Sequence, residues 1–254
     1  MTELQPTPQP KKSDLPVRAA SAVVMVAVAG TALWLGEWWW TVFVAAVAWI
    51  VVWEWRGLTA GFEHRTGWNV IGLIYIFVAA GTAWNIRLSS GLDIALILIA
   101  VVVAVDIGAY FAGRAIGGPK IAPRISPSKT WAGLLGGALA ASIVWLIAIK
   151  MWHVGVIFIG TDLPDAAPQT CFGIDYCAGF YASNSQVAAL SLAMGLFFAV
   201  CAQAGDFFES WMKRRAGVKD SGTIIPGHGG VFDRVDGLLS VMFVLGLLEA
   251  LRPI

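Results

Sequence analysis

Charge is scarce in this chain. Asp, Glu, Lys and Arg make up 13% of its 254 residues, against 58% hydrophobic residues, whereas a soluble domain carries about 25% charged residues. A water-soluble globule is excluded on that ground. Seventeen basic and sixteen acidic side chains leave a net charge of +1, so nothing recommends a nucleic-acid partner. Cysteine is equally sparse, with three residues and no Cys/His spacing of a zinc site. Cys201 lies in an apolar run and reads as a small buried hydrophobe. Cys171 and Cys177 share one loop, where a disulfide would require an oxidising compartment. There is no internal repeat.

What the chain has instead is long apolar runs. Val17–Leu35, Trp38–Trp53, Gly67–Trp84, Leu92–Val105 (continuing past Asp106 to Ala112), Trp131–Ile149, Val187–Ala204 and Gly237–Leu251 form seven candidate spans, most near the ~20 residues that cross the hydrocarbon core. Thirteen Trp suit the membrane–water interface. His153–Ile159 either extends the fifth span or forms a separate interfacial piece. With the N-terminus in the cytoplasm, 14 of the 17 basic residues fall in cytoplasmic segments, and only Arg87, Lys150 and Arg252 fall outside. This asymmetry predicts N-in, C-out topology. Residues 1–16 read as a disordered cytoplasmic tail, followed by an uncleaved first span.

The remaining charge is concentrated in two predicted cytoplasmic segments. Residues 210–236 read SWMKRRAGVKDSGTIIPGHGGVFDRVD, with Lys213, Arg214, Arg215, Lys219 and Arg234 against Asp220, Asp233 and Asp236, and with Ser210, His228 and several glycines. Just upstream, Asp206 and Glu209 add two carboxylates, and Asp206, Glu209 and Lys213 share one face if the segment is helical. The other segment, residues 106–137, carries Asp106 at the inner end of a span, a Gly-rich stretch with Arg114 and Lys120, and Ser126-Pro127-Ser128-Lys129-Thr130. An ionisable group at a span end is a functional candidate. Cations for phosphate, carboxylates for a divalent metal and glycines for close backbone approach suit a nucleotide polyphosphate. Arg56 and Arg65 read as topology determinants, and Gly133, Gly136 and Gly137 as helix-packing glycines.

Ser210, Lys213-Arg214, Lys219-Asp220, Pro226-Gly227-His228-Gly229-Gly230 and Asp233-Arg234-Val235-Asp236 closely resemble the C-terminal signature of phosphatidate cytidylyltransferases. Asp106-Ile107-Gly108-Ala109-Tyr110 and Ser126-Pro127-Ser128-Lys129-Thr130 resemble a second segment of the same family. Two positions depart from it: Ala132 stands where the family shows Glu, and Ile107 where it shows a small hydroxyl residue. The resemblance implies a single transmembrane catalytic domain over 17–254, an all-α polytopic membrane protein in a bacterial-type inner membrane, with its site at the cytoplasmic interface. The implied reaction transfers CMP from CTP to phosphatidate, giving CDP-diacylglycerol and pyrophosphate. Its partners would be CTP, phosphatidate and bilayer lipid, with a homodimer left open.

The resemblance also implies metal ligation by Asp206 and Asp233, with Mg²⁺ or another divalent cation as cofactor. The residue pattern adds Asp236, either as an alternate ligand or as a carboxylate supporting the ligands. Asp206, Asp233, Lys213 and Arg214 form the expected catalytic set. Ser128, Lys129, Thr130, Ser210, Lys219, Asp220, His228, Gly229 and Arg234 form the expected substrate-binding set. For His228, proton transfer, loop structuring and donation to phosphate all stay open. Two rivals share the toolkit. One is another CTP-dependent lipid enzyme, a polyprenol kinase or an ether-lipid phosphate cytidylyltransferase. The other is an anion transporter, which would place binding groups near the bilayer midplane.

Overall fold

The computed structural model describes residues 15–153, 170–171, 174–175 and 184–251. Of the tail expected over residues 1–16, residues 1–14 lie outside the described residues and residues 15–16 instead open a helix; the Cys171–Cys177 pairing and residues 154–159 of the expected interfacial piece also lie outside the described residues. Among the described residues there are seven long helices: α1 (Leu15–Leu35), α2 (Glu37–Leu58), α3 (Arg65–Ser89), α4 (Gly91–Ala115), α5 (Trp131–His153), α6 (Asn184–Ala216) and α7 (Phe232–Ala250). A short antiparallel hairpin, β1 (Lys120–Ala122) with β2 (Ser126–Thr130), joins α4 to α5. Helices α1 to α6 are each long and apolar enough to cross a bilayer. Helix α7 is 19 residues long and opens on Asp233, Arg234 and Asp236. It nonetheless packs in the bundle, between α3 and α6. The chain is an all-α polytopic membrane protein, and Trp49, Trp53, Phe77 and Leu135 are exposed on its outer face, as lipid contact requires.

Close helix contact comes from small residues, as such bundles favour. At the α4–α5 crossing a Cβ on Gly108 would lie 2.5 Å from the Gly136 carbonyl, and one on Gly137 would lie 2.8 Å from the Val105 carbonyl. The packing role expected for Gly133, Gly136 and Gly137 is therefore what the structure shows. At the α6–α7 crossing Gly205 lies against the backbone of Asp236 in the same way.

Helix α6 differs from expectation at its end. Its apolar run stops at Ala204, but the helix continues unbroken to Ala216. Asp206, Glu209 and Lys213 share one face, while Phe208 and Trp211 pack against the core and Arg215 lies over the Trp211 ring. That core is aromatic: Trp55 packs on Tyr75, Phe208 and Phe232 at 5.7–6.1 Å between ring centroids. At the opposite end of the bundle, Arg87 donates from Nε to the Leu33 carbonyl at 2.8 Å and satisfies the end of α1.

Candidate active site

The two charged segments, about a hundred residues apart in the chain, meet at one end of the bundle. Lys129 at the end of β2 forms an ion pair with Asp206 of α6. Two helical turns further along α6, Lys213 Nζ lies 2.5 Å from Glu209 Oε2 and 2.6 Å from Asp233 Oδ1 of α7. These are all the ion pairs among the described residues, and every one is in this site. The helical spacing of Asp206, Glu209 and Lys213 does put them on one face. Burial pushes the Lys129 ammonium below its ordinary range, against the pull of Asp106, Asp236 and Glu209, which favour its charged form.

Asp233 organises the signature loop. Its Oδ2 accepts hydrogen bonds from Ser221 N at 2.8 Å, Ser221 Oγ at 2.9 Å and Gly230 N at 2.8 Å, while Oδ1 accepts from Lys213. Gly229 has φ +85°, and a Cβ there would come within 2.9 Å of Asp233 Oδ2 and 3.1 Å of the Asp220 side chain. Glycine is needed there both for the left-handed backbone and for the close approach. Gly237, next to Asp236, faces Asp206, since a Cβ there would lie 3.4 Å from Asp206 Oδ1, and Asp236 Oδ1 accepts from Gly237 N at 2.9 Å.

The other expected residues divide into two groups. Ser128, Arg214, Lys219 and Asp220 are exposed at this end of the bundle, and Ser210 is half-buried. His228 and Thr130 are engaged structurally. His228 Nδ1 lies 2.8 Å from Ser21 Oγ, its backbone N donates to Ile225 O, and its carbonyl accepts from Arg234 Nη2 at 3.0 Å. Of the roles left open for His228, loop structuring is the one these contacts describe. Ser21 also donates to the Pro226 carbonyl at 3.1 Å, so the first turns of α1 clasp the loop. Thr130, expected to meet substrate, is 2% exposed, and its hydroxyl accepts from Gly133 N at 3.0 Å. It caps α5, because the strand turns into the helix at that residue.

One residue of this site was missing from the sequence expectations. Glu54, near the end of α2, is 2% exposed. Its Oε1 accepts from Val231 N at 2.9 Å, and its Oε2 accepts from Phe232 N at 2.7 Å and from Ser221 Oγ at 3.2 Å. Helix α7 has no capping side chain of its own, so a carboxylate from α2 satisfies its first N–H groups and meets its positive end. The available signal was the one that marked Asp106: a carboxylate at the end of an apolar run, here inside Trp53-Glu54-Trp55.

Comparison with known proteins gives the same direction. Residues 59–251 match the model of the cytidylyltransferase family. The chain belongs to that family. A phosphatidate cytidylyltransferase of Brucella suis is 37% identical over 210 residues, which cover 82% of this chain and 64% of the relative, so the match spans less than two thirds of that protein. One from Rickettsia bellii is 34% identical over 245 residues, covering 95% of this chain and 93% of the relative. One from Pseudomonas aeruginosa is 34% identical over 236 residues, covering 91% and 75%. Glu54 lies outside the residues that the family model matches.

The site's donors can be weighed against a divalent cation. Among the described residues no three His, Cys, Asp or Glu side chains form a ready-made metal cage. Mg²⁺ does not need one, since it is held by one or two carboxylates together with phosphate oxygens and water. Here Asp206 and Asp233 are hard oxygen donors that each face a lysine ammonium, and the buried Glu209 Oε1 has no hydrogen-bond partner. This donor set fits a hard cation that arrives with its phosphates.

Ala132 sits in the first turn of α5, which contains no acidic residue. Asp106, Asp206, Asp233 and Asp236 already supply carboxylate at this end. Ala132→Glu is therefore expected to change turnover by less than about tenfold, or roughly 1.4 kcal/mol of barrier. Steady-state rates of both proteins at matched Mg²⁺ check this. An inactive parent rescued by the Glu would show that this chain has lost a required group.

Proposed function

We propose that this protein is a phosphatidate cytidylyltransferase that transfers CMP from CTP to phosphatidate, forming CDP-diacylglycerol and releasing pyrophosphate. The observation that carries the reading is the meeting of Lys129 with Asp206 and of Lys213 with Asp233, which joins both signature segments into one cluster at one end of a membrane bundle. A phosphatidate phosphate oxygen attacks the α-phosphorus of CTP, and the bond from that phosphorus to the pyrophosphate oxygen breaks. The attacking oxygen is already anionic near neutral pH, so no strong general base is required. Catalysis then rests on positioning and charge stabilisation. Lys129 and Lys213 meet phosphate oxygens at the floor of the site, and Ser128, Arg214 and Lys219 meet them from its exposed rim. Asp206 and Asp233, with Asp236 beside them, would hold Mg²⁺, which when bound neutralises the phosphates and the departing pyrophosphate.

The site belongs at a membrane interface because one substrate is a lipid and the other is soluble. We place it at the cytoplasmic face of a bacterial inner membrane, as the basic residues at this end indicate. A midplane binding site, as in a transporter, finds no support in charges gathered at one bundle end. The functional test incubates purified protein with CTP, Mg²⁺ and phosphatidate and analyses the lipid products by mass. A gain of CMP on phosphatidate supports the reading. Transfer of a single phosphate, or reaction only with polyprenol or ether-lipid acceptors, supports the other CTP-dependent enzymes.

Orientation is tested separately. In a cysteine-free background, Arg124→Cys and Thr223→Cys, both at exposed positions, should be labelled from the same side of sealed vesicles by an impermeant maleimide. That side should be the cytoplasmic one. Opposite accessibility would separate the two segments and sink the shared site.

A further inference from the structure

We propose that Glu54 is a positioning residue that holds Asp233 in its ligand-ready orientation and thereby sets the protein's affinity for a divalent cation. The inference rests on the proposed metal role of Asp233, but concerns a residue outside the family match. Asp233 can present only one oxygen outward. Its Oδ2 is committed to Ser221 N, Ser221 Oγ and Gly230 N, which leaves Oδ1 facing Lys213. Those three donors belong to the loop and the α7 entry, which have no regular secondary structure to hold them in place. Glu54 supplies the hold from a different helix through Val231 N, Phe232 N and Ser221 Oγ.

The space around Glu54 is built for it. A Cβ on Gly222 would lie 2.5 Å from Glu54 Oε1, and one on Gly230 would lie 2.6 Å from the same atom. The carboxylate therefore touches the backbone on both sides of the Asp233 clamp. Ser221 Oγ, within reach of both Glu54 and Asp233, is the link between them. A buried carboxylate is costly unless its hydrogen bonds are satisfied. Simple packing at this position would be served as well by an apolar side chain. Glu54 makes contacts that only an acceptor of two backbone N–H groups and a hydroxyl can make.

The test measures Mn²⁺ binding to the detergent-solubilised protein by loss of the free-ion EPR signal, with and without CTP, in the parent, Glu54→Gln and Ser221→Ala. Glutamine keeps the shape but places an amide donor against backbone donors. Glu54→Gln is expected to weaken Mn²⁺ at least tenfold and to raise the Mg²⁺ concentration for half-maximal turnover by a similar factor. Turnover at saturating Mg²⁺ should fall much less. Ser221→Ala, which cuts the link without touching the backbone anchor, should weaken Mn²⁺ about threefold. Adding Glu54→Gln to Asp233→Asn should lower Mn²⁺ affinity no further than Asp233→Asn alone, because a residue acting through Asp233 has nothing left to position. Parent-like Mn²⁺ affinity in Glu54→Gln, or an independent further loss in the double variant, overturns the proposal. If Glu54→Gln does not fold, Glu54→Asp, which draws the carboxylate back from Val231 N and Phe232 N, decides, and unchanged Mn²⁺ affinity there overturns the proposal. A parent that binds no Mn²⁺ with or without CTP would instead remove the metal role of Asp233 itself.

Discussion

Asp233→Asn is expected to lower turnover by more than tenfold while the protein still inserts and folds. The side chain keeps its shape, and its amide oxygen can still accept from Ser221 N, Ser221 Oγ and Gly230 N, now at 2.8–2.9 Å from Asp233 Oδ2. The amide nitrogen must then point at Lys213 Nζ, which in the parent lies 2.6 Å from Oδ1. A donor faces a donor there, and the flipped alternative is worse, with the NH₂ group against three loop donors. The substitution thus spares the loop and removes charge at one oxygen, the one that the proposed metal role would offer to a cation. Charge stabilisation by a metal is worth several kcal/mol in reactions of this kind, and tenfold in rate is only about 1.4 kcal/mol. Product formation at saturating Mg²⁺, with size-exclusion behaviour as the folding control, is the measurement. Parent-like turnover would remove Asp233 from the metal site.

Asp233 was legible in the sequence because it stands in a dense motif; Glu54 carried only the signal of a carboxylate ending an apolar run, and its role was hidden because its partners are 167 to 178 residues away. Hydropathy marks where a chain meets water rather than where a helix ends. It therefore located the bundle helices but stopped α6 at Ala204, although the helix runs on to carry Asp206, Glu209 and Lys213. The same limit explains Thr130. Its neighbours Ser128 and Lys129 mark a polar loop, yet the turn from β2 into α5 directs Thr130 inward to cap the helix. Local composition could identify the chemical toolkit. Which members face inward depends on helix crossings, such as Gly205 against Asp236, that no short motif records. His228 shows the same dependence: its nearest side-chain partner is Ser21, at the far end of the sequence.

Lys213→Met is expected to harm stability and turnover together, and a second substitution should separate the two effects. Lys213 bridges Glu209 and Asp233, whose side chains are 2% and 5% exposed, and is itself 16% exposed. Removing the only ammonium between two nearly buried carboxylates leaves their charges facing each other in a poorly hydrated place. Breaking a buried pair in this way costs about 3 kcal/mol or more, or roughly 6–12 °C in Tm for a chain of this size. Methionine keeps most of the aliphatic stem, so little of the loss can come from packing. Adding Glu209→Gln removes one of the two repelling charges, and should recover at least half of the lost Tm. Turnover should not recover, because in the proposed reaction the ammonium of Lys213 meets a phosphate oxygen that methionine cannot. Thermal unfolding in detergent and CDP-diacylglycerol formation, measured on parent, single and double variants, distinguish these roles. Recovery of both properties in the double variant would reduce Lys213 to a structural counter-ion, and loss of neither in the single variant would show that the ion pair contributes to neither.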